Sequence, residues 1–272
     1  MESILQELLL KAEAGDVQAQ CDLGKRYAEG EIVEQDYQTA VHWFKVASEN
    51  GSSMATACLG VMYERGDGVE ADIRKAIECY QLAVYDNDPT GMYNLAQCYY
   101  YGKGIVKENK KRGLYYMVEA AEAGFVHAMK FLATVYYEEK KFADCVYWAE
   151  QAANLGDVQA QAYIGKCYYD GFCVDMDKSK AFTWFMKAAE QGDVYAMTEV
   201  ATYYAEGTVC EVNAEEAFKW FKKAAASETY APALSCLALC YELGIGTDVD
   251  LKEAKRLEEL AEDLQNKDVV NE

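Results

Sequence analysis

The chain has 272 residues and a formal net charge of −20, from 46 acidic against 26 basic side chains, and 51% of its residues are hydrophobic. That balance supports a packed core and excludes a disordered chain, and the negative charge argues against nucleic acid or an anionic membrane as partner, since both are polyanions. With two prolines and no Pro/Gly/Ser-rich stretch, the composition implies helix almost throughout.

In chain order, the first predicted element is a capping helix within 1–15. The stretch MESILQELLLKAEAGD has no basic leader, and Gln6, Glu7 and Lys11 interrupt its apolar residues. It is therefore expected to be neither a secretion signal nor a membrane span, and a cytoplasmic location is the expectation.

The hexapeptide GDVQAQ then occurs at Gly15–Gln20 and again at Gly156–Gln161, which prompts a search for a repeat. An aliphatic residue, a small residue, two variable residues and a Tyr recur as LGKRY, LGVMY, LAQCY, LATVY, IGKCY, VATYY and LALCY. The marker tyrosines are Tyr27, Tyr63, Tyr99, Tyr136, Tyr168, Tyr204 and Tyr241, spaced by 36, 36, 37, 32, 36 and 37 residues. Glycine loops follow most of them, at Gly30, Gly66/Gly68, Gly102/Gly104, Gly171, Gly207 and Gly244/Gly246. A second helix comes next, as in TAVHWFKVA, KAIECYQLA, KAFTWFMKAA and EAFKWFKKAA. All four tryptophans (Trp43, Trp148, Trp184, Trp220) share one slot of it, and a slot reserved for the bulkiest residue is expected to fill an inter-helix cavity.

Each unit is thus a helix hairpin whose apolar face is buried only by its neighbours. Stacking gives an all-α fold: a right-handed α–α superhelical solenoid of about seven helix-hairpin repeats with terminal capping helices. The expected repeats span about 16–51, 52–88, 89–124, 125–156, 157–192, 193–231 and 232–267, with a disordered tail at 268–272. The fourth unit is short and has no glycine loop. Leu257 takes the Trp slot of the last helix, whose other faces are charged, as a terminal cap requires.

The pattern A-x-A-x-x-x-L-G-x-x-Y-x-x-G-x-G followed by K-A-x-x-W-Y-x-K-A-A-x-x-G resembles the Sel-one-like repeat (SLR) family, a tetratricopeptide-like helical repeat solenoid. The resemblance covers roughly residues 12 to 262. It implies a scaffold or adaptor that binds other proteins on a curved surface. Cysteine-rich secreted members carry one regular cysteine pair per repeat. The ten cysteines here lack that regularity, so free thiols in a reducing compartment are expected.

No catalytic constellation emerges. His42 and His127 are the two histidines and lie far in sequence from the Cys236/Cys240 pair, so neither zinc nor a nucleophilic triad is expected. The loops GDG and GKG close hairpins and are followed by no Lys-Ser/Thr, unlike phosphate loops. The expectation is a non-enzyme without cofactor or metal.

Recognition is expected on the concave side, lined by the first helices. The slots five and two residues before the marker Tyr, and two after it, point away from the core. In the middle repeats they hold Asn94, Gln97 and Tyr101; Phe131, Thr134 and Glu138; Tyr163, Lys166 and Asp170; and Glu199, Thr202 and Glu206. Tyr93 and Lys130 lie one slot further round. Aromatic residues on a wet face mark an interaction patch, with Phe131 and Tyr163 as anchors and Glu138, Asp170, Glu199 and Glu206 steering basic side chains. The expected partner is a protein or peptide bound by a monomer. The alternative is an acidic inhibitor or immunity-type protein that neutralises a basic toxin or enzyme.

Overall fold

The computed structural model describes the backbone of residues 2–30 and 33–270, and the side chains of 5–30 and 33–267. Helices and connecting turns account for the described residues, and two compact units divide the chain at Leu132/Ala133. The fold is an all-α solenoid of helix-hairpin repeats.

The first unit opens with α1 (Glu2–Glu13). The hairpins α2 (Val17–Glu29) and α3 (Tyr37–Glu49), α4 (Ser53–Arg65) and α5 (Ile73–Tyr85), and α6 (Pro89–Tyr101) and α7 (Lys110–Glu122) follow. The unit ends inside α8 (Val126–Glu138). The second unit continues with α9 (Phe142–Asn154), then pairs α10 (Val158–Asp170) with α11 (Lys178–Glu190), α12 (Val194–Glu206) with α13 (Ala214–Ala225), and α14 (Ala231–Leu243) with α15 (Leu251–Val270). The last helix therefore carries on into the segment expected to be a tail, of which 271–272 lie outside the described residues.

One backbone bond recurs in every hairpin. The marker tyrosine's carbonyl accepts the backbone N–H of the residue that caps the second helix, from Asp36 to Tyr27 (2.9 Å) through Asn109 to Tyr99 (2.7 Å) to Asp250 to Tyr241 (2.9 Å). The shortened repeat keeps it, from Lys141 to Tyr136 at 2.8 Å. The bond satisfies one carbonyl orphaned at the end of the first helix and fixes where the second begins. Most of the helices then start on an Asp, Asn or Ser whose side chain accepts backbone N–H groups, as Asp72 does from Arg74 and Lys75 (3.0 and 3.1 Å). Part of the acidity is thus helix capping.

The duplicated hexapeptide has a specific structural role. Gln20 and Gln161 are buried, each donating Nε2 to the last turn of the preceding helix, at Ala12 O (2.9 Å) and Ala153 O (3.1 Å). Each also accepts, from Asn50 Nδ2 (2.9 Å) and Gln191 Nε2 (2.8 Å), at the end of the following second helix. One amide thus ties three consecutive helices, and both of its ends are satisfied.

The core differs from expectation in the tryptophan slot. Trp148 is buried, but Trp43, Trp184 and Trp220 are half-exposed. The deepest position is the next one, with Phe44, Tyr80 and Phe185 at 0–2% exposure. Those rings lie on the glycine of the first-helix motif: a Cβ on Gly24, Gly60 or Gly165 would sit 2.6–2.7 Å from them. Trp184 and Trp220 instead lie under lysine ammonium groups one turn on, Lys187 at 3.9 Å and Lys223 at 4.6 Å from the ring centroids.

Candidate functional site

In the first unit, the site residues on α6 and the first turns of α8 form an aromatic cluster. Tyr101 is 58% exposed and meets Tyr100 edge-on at 5.0 Å. Phe131 is half-buried, edge-on to Tyr100 at 5.1 Å and 6.3 Å from Tyr101. Tyr93 packs on Phe125 (5.2 Å) and His127 (6.3 Å). Burial pushes the Tyr93 hydroxyl up, against a hydrogen bond with Gln97. Asn94, Gln97 and Lys130 are half-buried on the same stretch. Phe131 therefore joins neighbouring repeats as much as it faces outward, whereas Tyr101 is mostly free surface.

In the second unit, Thr134 and Glu138 are exposed on the last turns of α8. Tyr163 is half-buried with its hydroxyl 3.5 Å from Cys145 Sγ on α9, so its polar end is turned inward. Lys166 and Asp170, one turn apart on α10, form an ion pair at 3.0 Å. On α12, Glu199 is half-buried, Thr202 Oγ1 donates to the carbonyl of Thr198 (3.0 Å), and the exposed Glu206 accepts from Thr208 Oγ1 (3.1 Å). The spacing of Glu199, Thr202 and Glu206 puts them on one face of α12.

Two half-buried glutamates show what that face lacks. Burial raises Glu64 in the first unit, but Lys103 Nζ and Tyr80 Oη, each at 2.7 Å, outweigh it and hold the carboxyl below its ordinary range. Burial raises Glu199 as well. There a hydrogen bond with Tyr195 and the charge of Lys166 pull down, Asp170 and Glu206 push up, and the carboxyl stays above its ordinary range. At Glu199 burial, the largest cause, wins.

Sequence reasoning passed over several neighbours. Tyr203 occupies the variable slot just before the marker tyrosine, which holds Arg26, Met62, Cys98, Val135, Cys167 and Cys240 in the other repeats, so its residue type there gave no signal. It is 3% exposed, and its hydroxyl is the buried side-chain polar atom with no hydrogen-bond partner among the described residues. Phe142 and Phe172, with Tyr137, form an exposed aromatic triad at centroid distances of 5.5–6.2 Å in the second unit. Among the described residues, no group of three His, Cys, Asp or Glu is placed to hold a metal, and no helix is long and apolar enough to cross a membrane.

The Sel1 repeat model matches residues 17–52, 54–88, 89–125, 126–157, 158–193, 194–228 and 231–266. The chain belongs to the Sel1 repeat family. Sel1 repeat proteins are generally protein-interaction scaffolds and typically non-enzymatic. Among solved structures, this Sel1 repeat chain is similar to a protective antigen of uropathogenic Escherichia coli displaying an SLR fold. That match has a TM-score of 0.74 and 28% identity, and covers 94% of this chain and 56% of the antigen, so the chain spans little more than half of the antigen's length. It is also similar to a Sel1 repeat protein from Oxalobacter formigenes (TM-score 0.62, 27% identity, 96% and 76% covered). The immunity protein Pa5087 from Pseudomonas aeruginosa shares the fold at 20% identity (TM-score 0.51, 92% and 82% covered). No curated protein matches the chain.

Proposed function

We propose that this Sel1 repeat protein is a non-enzymatic adaptor that holds an extended peptide or protein segment on the first-helix face of its repeats. The observation that carries this reading is that the side chains on that face are polar or aromatic and only partly consumed by packing. Tyr101 is mostly exposed, the Lys166–Asp170 pair is solvent-facing, and Glu199 is undercompensated. Amide and hydroxyl groups such as Asn94, Gln97 and Thr134 suit the backbone of an extended segment, and Tyr101 with Phe131 suits an apolar side chain. The ten cysteines are unpaired, in keeping with action in a reducing cytoplasm, and the charged outer faces of α15 favour a monomer.

The test is to select peptides from a random display library against the full chain and map the bound state by hydrogen exchange. Protection centred on α6, α10 and α12 supports the reading; protection confined to the second helices sinks it.

The alternative, an immunity-type neutraliser of a basic toxin or enzyme, draws on the net charge of −20. It is the weaker reading, because the aspartates at helix starts carry part of that charge, and a fold shared at 20% identity carries no function. It requires affinity that collapses with salt wherever on the surface the variant is made.

A further inference from the structure

We propose that the exposed basic surface of the third repeat, built on Arg112 with Lys107, Lys110 and Lys111, docks a glutamate- or aspartate-rich segment of a partner protein. A carboxylate of that segment takes the place that an aspartate of this chain holds in other repeats. The inference deepens the adaptor reading and rests on it, since it names the chemistry of the bound segment.

The repeats themselves show what is missing. The third residue of a second helix can lay a cation over the marker tyrosine, and the capping residue can pair with that cation. In the second repeat Lys75 lies 5.4 Å from the Tyr63 ring centroid and pairs with the capping Asp72 at 3.7 Å. In the fifth, Lys180 lies 5.0 Å from Tyr168 and pairs with the capping Asp177 at 3.8 Å. In the third, Arg112 lies 4.3 Å from Tyr99, but the cap is Asn109. Its side-chain oxygen accepts the Arg112 backbone N–H (3.0 Å) and offers the guanidinium no charge. Among the described residues, no carboxylate pairs with Arg112.

That guanidinium is exposed and already held in place. It lies over Tyr99 and 5.8 Å from Tyr116, donates a hydrogen bond to Tyr116, and rests on two rings stacked at 6.0 Å. Five N–H donors in a flat fork leave enough to grip a carboxylate with two parallel bonds, and the rings have already removed much of the side-chain freedom that binding would otherwise cost.

The surroundings carry the same sign. Between Gly102 and Val118 stand Lys103, Lys107, Lys110, Lys111 and Arg112 against one carboxylate, Glu108. Lys103 is taken by Glu64 at 2.7 Å. Lys107, Lys110 and Lys111 are exposed and form no ion pair among the described residues. In a chain of net charge −20, an acidic segment is attracted here and repelled elsewhere, which fixes where it docks. Lys110 also lies 5.4 Å from the Tyr100 ring, which meets Tyr101 and Phe131, so the basic surface adjoins the aromatic cluster. A long polyanion such as nucleic acid would run on over the acidic remainder of the chain, whereas a short acidic segment need not.

The test uses the full chain and a fluorescein-labelled, C-terminally amidated peptide, Gly-Glu-Glu-Leu-Glu-Glu-Gly, read by fluorescence anisotropy at low and physiological salt. A matched peptide carries glutamine for glutamate. Diffuse electrostatics of so acidic a chain would make the glutamine peptide the tighter one. The reverse is expected, by about tenfold at low salt. Arg112→Gln should lose most of that preference, and Arg112→Lys a smaller share, because an ammonium keeps the charge and lacks the fork. Asn109→Asp gives Arg112 the partner of the other repeats. It should lose as much as Arg112→Gln while melting no lower than wild type, which separates lost binding from lost fold. Lys45→Gln and Lys252→Gln, exposed lysines elsewhere, remove the same charge and should leave binding unchanged.

A glutamine peptide that binds as tightly as the glutamate peptide overturns the proposal. So does an Asn109→Asp variant that binds like wild type, or an equal loss in the two lysine controls. A ten-nucleotide oligothymidylate that binds through Arg112 when the acidic peptide does not would make the surface a phosphate site and overturn it as well. If library-selected peptides bind the first-helix face while the acidic peptide does not bind, the basic surface falls and the adaptor reading stands. If no peptide of either kind binds, both fall.

Discussion

Glu64 and Glu199 belong to the same kind of residue in the same kind of place, and what separates them is the number of donors each receives. Glu64 joins the glycine loop of the third repeat, through Lys103, to the buried ring of Tyr80. Glu64→Ala strands both donors, so it should cost about 1–3 kcal/mol in urea unfolding. A loss near zero would show that the network adds no net stability. The sign with pH follows from its lowered carboxyl: the contribution is present above the ordinary carboxylate range and is lost as pH falls through the depressed value. None of this was legible in the sequence, because Glu64 and Lys103 are 39 residues apart and nothing in their local pattern distinguishes them. The outward slots of the first helices were legible, because a marker tyrosine fixes helical phase. Which of those side chains would turn inward, as Tyr163 does toward Cys145, depends on rotamers that spacing does not encode.

At the scale of the element, the second helices show why residue size misleads. The tryptophan slot looked like the core because it holds the largest side chain, yet depth is set by what faces it, and the glycine of the first helix faces the next position. Phe185→Ala should therefore cost about 3–5 kcal/mol, as a fully buried ring lost. Trp184→Ala should cost clearly less, because part of that ring is in water under Lys187. Denaturant midpoints of the two variants check this, and a greater loss for Trp184→Ala would restore the tryptophan as the deeper residue. The shortened fourth repeat offers a second test. Where most first helices end on a left-handed glycine, this hairpin turns on Lys140 at φ 58°, a conformation costing a non-glycine residue about 1–2 kcal/mol. Lys140→Gly should recover roughly 1 kcal/mol in the same assay; an unchanged or lower midpoint would mean the turn is unstrained. The missing glycine was visible in the sequence, whereas the retained Lys141–Tyr136 hairpin bond was not.

At the scale of the whole molecule, two sets of carboxylates pull stability in opposite directions with pH. The charge of −20 repels itself, and Glu199, held above its ordinary range, binds a proton more readily folded than unfolded. The Glu199 part is gained as pH falls through its raised value toward the ordinary carboxylate range, and self-repulsion eases in that range, where the carboxylates that carry the charge take up protons. The capping aspartates act the other way. The Thr39 hydroxyl and backbone hold Asp36 below its usual range, and the backbone N–H of Lys75 does the same for Asp72. The contribution of these two caps survives until pH falls through their lowered values, below the ordinary carboxylate range, and then disappears. The thermal midpoint should therefore rise as pH falls toward the ordinary carboxylate range and drop once the lowered values of Asp36 and Asp72 are passed. Glu199→Gln removes one part of the rising limb: it should melt higher than wild type at pH 8, with the gap closing as the wild-type carboxyl takes up its proton. Calorimetry of both proteins across that range decides it. A wild-type midpoint falling steadily from pH 8 would show that neither self-repulsion nor Glu199 sets the stability of the fold. A variant identical to wild type at pH 8 would show that the ionised Glu199 carboxyl costs the fold nothing there.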